Sequence, residues 1–169
     1  MKTVALRSEN PTIFIDHQRL QGVTGMVDEA DAGEIPLGVA EVKREGTDVT
    51  IVAVSVMVAR ALEAAEKLAT EGISAEVVDP RTLVPLDKAT ILKSVAKTGR
   101  VVVADESQLS CGVASELAAI IAEEGFESLR APVKRVAIPN VPIPFHESEE
   151  KYITPSAGWI INAVKQICN

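Results

Sequence analysis

The chain has 169 residues, the size of one ordinary domain, with 47% hydrophobic residues, only 3% aromatics and a formal net charge of −7. That length buries a core, which Ala, Val, Ile and Leu must build, and the acidic balance argues against nucleic-acid or anionic-membrane surfaces. No run of about 18 apolar residues is present to cross a membrane. Cys111 and Cys168 match neither a metal-ligand spacing nor a disulfide framework, and the first eleven residues lack a secretory apolar stretch, so a reducing cytoplasm is expected.

Residues 1–38 differ in character from the rest of the chain. TIFI at 12–15 reads as an isolated strand, and 21–34 is acidic and dotted with glycine. A lone strand is marginal in water. This extension therefore reads as the last strand of another domain plus a linker, expected to be loosely ordered or packed on another copy. The domain proper is expected over 39–169.

From residue 39 the chain alternates short apolar strands with amphipathic helices. Residues 39–43 precede a loop containing Gly46, which predicts a hairpin with TIVAV at 50–54, a fully covered strand. A helix is expected over 57–71, with Met57, Ala61, Ala64 and Leu68 at helical spacing and Gly72 placed for a left-handed cap. AEVV at 75–78 is the next strand. Asp87 predicts the N-cap of a helix carrying Ile91, Leu92, Val95 and Ala96, ended by Gly99. RVVVA at 100–104 is the third strand of this series. Val113, Leu117, Ile120 and Ile121 mark a helix closed near Gly125, and 133–138 is a further strand. Thr154 and Pro155 signal the start of a last helix with Ile160, Val164 and Ile167 on its buried side. The fold class is α/β, a three-layer, five-stranded mixed sheet with four strands parallel, one antiparallel, and helices on both faces.

The candidate chemistry is sparse. The first strand-to-helix turn reads Ser55-Val56-Met57, without the glycines of a dinucleotide or phosphate loop. Asp105 and Glu106 come directly after the 100–104 strand in a connection running to Gly112, at the carboxyl end where open α/β sheets place ligands. They have two readings: orienting a base or proton donor, or capping the next helix and pairing with an arginine. Cys111 lies near a helix start, where the dipole lowers a thiol pKa, but no histidine is close in sequence, and a packed, inert side chain is expected. Arg81 either binds an anion or pairs structurally with Asp79 or a partner chain. His17 and His146 each stand alone, without ligand companions. The 139–155 stretch gathers Pro142, Pro144 and Pro155 with two of the chain's five aromatics, Phe145 and Tyr152, and Trp159 lies just beyond. It is either a protein–protein surface or a loop pinned to its own domain.

Taken in order, Arg44-Glu45-Gly46, Asp79-Pro80-Arg81-Thr82-Leu83, Pro85-Leu86-Asp87, Gly99-Arg100, Ala131-Pro132-Val133 and Pro142-Ile143-Pro144-Phe145 resemble the β subunit of thiamine-diphosphate-dependent 2-oxoacid dehydrogenases, in its transketolase-type C-terminal domain. Asn10-Pro11-Thr12-Ile13-Phe14-Ile15-Asp16-His17 is similar to the end of that family's preceding pyrimidine-binding domain. Pyruvate and branched-chain members carry histidine then glutamate where this chain has Asp105 and Glu106. That pair, with Cys111 beyond it, is more similar to the acetoin dehydrogenase branch.

The resemblance implies the C-terminal part of the β subunit of an acetoin or 2-oxoacid dehydrogenase first component. Its role would be subunit association and completion of one active-site wall by Glu106 and Asp105. The implied partners are an α subunit, the missing β-subunit domain, a second copy and the acyltransferase component, with neither nucleic acid nor membrane. Thiamine diphosphate with magnesium is implied for the complete enzyme, with no cofactor or metal bound, and no turnover, by this chain alone. The alternatives are a non-catalytic interaction module and a transketolase-like or deoxyxylulose-phosphate-synthase-like relative.

Overall fold

A computed structural model describes residues 16–24 and 35–168, together with Glu9, Pro11 and Ile13. Apart from Ile13, the strand expected at 12–15 lies outside the described residues, as does most of the acidic stretch. Five strands form one sheet: β1 (Glu41–Arg44), β2 (Val49–Ala53), β3 (Ala75–Asp79), β4 (Val101–Gln108) and β5 (Lys134–Ile138). The helices are α1 (Val56–Thr70), α2 (Lys88–Thr98), α3 (Val113–Glu124), α4 (Glu147–Ile153) and α5 (Ala157–Cys168).

The sheet order is β1-β3-β2-β4-β5, with β1 antiparallel to β3 and the other four strands mutually parallel. The strand directions are those expected, but the predicted hairpin is not formed: β1 pairs with β3, not β2. All five residues of β2 are buried, so it needs a strand on each side, which β3 and β4 supply. The partly buried β1 goes to the edge. Its link to β2 crosses the start of β3, where Thr47 and Asp48 donate N–H groups to the Ser74 carbonyl at 3.1 and 2.9 Å.

Alternation along the strands divides the core. Ile51, Val77 and Val102 face α1 and α5, meeting Met57, Leu68, Ile160 and Val164. Val52, Val78 and Val103 face α2 and α3, meeting Ile91, Val95, Leu117 and Ile121. Burying one such Leu or Ile contributes about 1.5–3 kcal/mol. α1 ends where expected: Gly72 has φ +84°, and the N–H groups of Gly72 and Ile73 bond the carbonyls of Ala69 and Leu68 at 3.1 and 3.0 Å. Asp87 caps α2 through the Thr90 N–H at 3.0 Å.

Two boundaries differ from expectation. β4 runs on to Gln108, so Asp105 and Glu106 belong to a strand. The last helix starts at Ala157, because Ser156 supplies the first accepting carbonyl, to the N–H groups of Trp159 and Ile160 at 3.0 and 3.3 Å. Thr154 instead closes α4, its N–H and hydroxyl both donating to the Glu150 carbonyl.

Candidate functional site

The stretch of β4 from Ala104 to Gln108 spans the same ladder as Val136 to Ile138 of β5, since Ala104 pairs with Val136 and Gln108 with Ile138, so β4 carries two extra residues. The resulting irregularity contains Asp105, Glu106 and Ser107. Bulges of this kind re-aim side chains beside functional sites. Asp105 is buried and accepts a hydrogen bond from the Ser107 hydroxyl. Glu106, its side chain 19% exposed, meets three cationic or imidazole groups from two other parts of the chain.

Arg60, in the second turn of α1, places Nη1 3.2 Å from Glu106 Oε1 and donates to the Pro155 carbonyl at 2.6 Å. It thereby ties α1, β4 and the approach to α5 together. Arg19 donates to the same Oε1 at 3.0 Å and, through its other amino group, to Glu150 of α4 at 2.5 Å. His17 Nε2 lies 2.7 Å from Oε2. Arg19 lies in a short 3-10 turn, Gln18–Leu20, which His17 caps and which docks on the chain's own domain through Leu20. These described residues of the extension are therefore attached, contrary to the loose or intermolecular packing expected of 1–38.

Beside this cluster is an open groove of about 620 Å³ at the carboxyl ends of β2 and β3. Val54, Val58, Ala59 and Leu62 line it with apolar surface, together with His17, Leu20, Glu41 and Arg81. Ser55 has φ 55° and ψ −126°, and Arg81 has φ 59°. Non-glycine residues held in such conformations concentrate at functional sites. The Arg81 guanidinium pairs with Glu41, while Asp79 Oδ1 accepts the Arg81 backbone N–H at 2.9 Å. Partial burial raises the Glu41 pKa, but hydrogen bonds from Lys43 and Arg81 outweigh it and hold the carboxyl below the usual carboxylate range.

The other candidates fall elsewhere. Cys111 is exposed, not packed: it lies in the turn between β4 and α3, outside both elements, with φ 60°. His146 caps α4, accepting the Ser148 N–H at 3.3 Å. Phe145 and Tyr152 are exposed, whereas Trp159 packs against the core. Among the described residues no group of three or more His, Cys, Asp or Glu side chains is placed to hold a metal ion. The first strand-to-helix turn, Ser55-Val56-Met57, also lacks glycine, so these described residues do not fit a magnesium diphosphate. His17, expected to stand alone, and Arg19 and Arg60 are not identifiable from sequence, because 89, 87 and 46 residues separate them from Glu106.

Residues 38–160 match the transketolase, C-terminal domain. The chain is 46% identical over 162 residues to the β subunit of acetoin:2,6-dichlorophenolindophenol oxidoreductase of Cupriavidus necator, covering 96% of this chain and 48% of that one. It is 43% identical over 164 residues to the pyruvate dehydrogenase E1 component subunit beta of Rickettsia bellii, covering 97% and 50%. A solved split-gene transketolase, an inactive β4 tetramer, superposes with a TM-score of 0.69 at 36% identity, over 79% of this chain and 42% of that one. The chain spans about half the length of the curated relatives it matches. Strand order, matched segment and relatives agree: the chain belongs to the transketolase C-terminal domain family.

Proposed function

We propose that this chain provides the transketolase-type domain of the β subunit in the first component of an acetoin dehydrogenase, a thiamine-diphosphate enzyme whose active site is shared between chains. Glu106 carries the reading: a bulged strand aims it out of the carboxyl end of the sheet, beside an open groove, and Arg60 and Arg19 fix it there. In this reading Glu106 lines one wall of the shared site, with buried Asp105 supporting the strand end behind it. Acetoin is favoured over pyruvate by Asp105, which stands where the resemblance would place histidine, and by the identity to the acetoin oxidoreductase subunit.

Cofactor and magnesium then belong to the α subunit and the preceding β domain, in a cytoplasmic assembly that two β chains share and that the acyltransferase component docks upon. The exposed Val141, Ile143, Phe145 and Tyr152 offer apolar surface for such contacts.

Reconstituting the chain with an α subunit and a preceding β domain tests the proposal. Glu106→Gln should lower kcat for acetoin without changing the mass of the assembly. Unchanged turnover by the variant assembly would remove Glu106 from the site.

A further inference from the structure

Glu106 Oε1 receives both guanidinium groups, from Arg19 at 3.0 Å and Arg60 at 3.2 Å. Among the described residues Oε2 receives a single partner, Nε2 of His17 at 2.7 Å. The terminal torsion of a glutamate is broad and roughly two-fold. Two donors on one oxygen therefore leave the carboxylate plane free to turn, and a donor on the other oxygen stops it. His17 is itself held from both sides. Its Nδ1 accepts the Arg19 backbone N–H at 3.2 Å, which places the imidazole proton of the neutral ring on Nε2, facing Glu106. Three residues on, Leu20 bonds its N–H to the His17 carbonyl at 2.9 Å and packs against the core. With both nitrogens engaged, the ring has no free lone pair to act as a base in this arrangement.

We infer that residues 16–20 form a strap that delivers His17 as a positioning residue for Glu106. His17 fixes the carboxylate plane and, with Asp16 and Leu20 of the same strap, lines the neighbouring groove. The strap lies outside the matched domain segment, 38–160, so the orientation of this wall is set by the extension as well as by the domain. The inference rests on the reading of Glu106 as part of a shared site.

The chain has only two histidines, and His146 on the exposed cap of α4 serves as an internal control. Nitrogen-15 NMR of the full chain in alkaline buffer should show His17 as the Nε2–H tautomer. Glu106→Gln should shift the His17 ring signals and leave those of His146 in place. The Nδ1–H tautomer at His17, or His17 signals indifferent to Glu106→Gln, overturns the inference.

In the reconstituted assembly, His17→Ala should lower kcat on the order of tenfold with KM little changed, as loss of alignment does. His17→Gln, whose side-chain amide can donate to Oε2, should recover most of that loss. If Glu106→Gln slows turnover but His17→Ala does not, the positioning role fails and the shared-site reading stands. If Glu106→Gln itself leaves turnover unchanged, the site reading fails and takes the positioning role with it. Unaltered urea midpoints for both His17 variants separate positioning from folding.

Discussion

The backbone N–H of Gly46 donates to Oε2 of the fully buried Glu76 across 3.3 Å, and a Cβ on residue 46 would stand 2.2 Å from the Glu76 backbone nitrogen. The link from β1 to β2 can thus cross β3 only with glycine at this position. The same carboxylate accepts from Ser94 and Lys97, and Ser94 continues through Thr50 to Thr98 at 2.8 Å each. Gly46→Ala should destabilise the domain by about 1–3 kcal/mol or more, the usual cost of overpacking. A lowered urea midpoint with an unchanged slope is the expected result.

Asp87 joins β1 to α2. Its carboxylate accepts the Ala40 N–H at 2.9 Å and the Thr90 N–H at 3.0 Å, and these bonds, Ala40 first, lower its pKa. A carboxyl depressed on folding contributes stability that is present above its unfolded value, about 3.9, and is lost as pH falls through the folded value. Asp87→Ala should cost about 1 kcal/mol at neutral pH as a lost cap. The difference between variant and wild type should shrink below about pH 4, as followed by denaturant melts across pH.

The two thiols should behave oppositely. Cys111 is exposed, whereas burial pushes the half-buried Cys168 thiol up. At neutral pH a thiol probe should label one cysteine nearly as fast as in unfolded chain and the other much more slowly. Cys111→Ser should remove the fast phase alone.

Much of this architecture is legible in the sequence because burial repeats with period. β2 is an almost continuous apolar run and β3 holds the apolar pair Val77 and Val78, and α1 and α2 carry both a stripe and a cap. The partner of β1 is not legible. Loop length gives the reach of the chain, but it does not reveal that β3, thirty residues on, fits between β1 and β2. α4 escapes for another reason: none of its residues is buried, so it has no apolar stripe to betray it. Glu106 is legible from its place after an apolar strand. Its companions His17, Arg19 and Arg60 come from segments that only tertiary packing brings together, and the bulge that aims it exists only in the pairing of β4 with β5.

If this domain contributes one wall of a site completed by other chains, it should not hold the cofactor by itself. Its described residues offer no metal-ligand cluster, and binding a diphosphate needs a metal or a concentration of N–H groups and cations around the phosphates. The decisive measurement is titration calorimetry of the isolated chain with thiamine diphosphate and magnesium. No saturable heat is expected at micromolar cofactor, with binding appearing once the α subunit and the preceding β domain are added. Saturable micromolar binding by the chain alone would contradict a shared site.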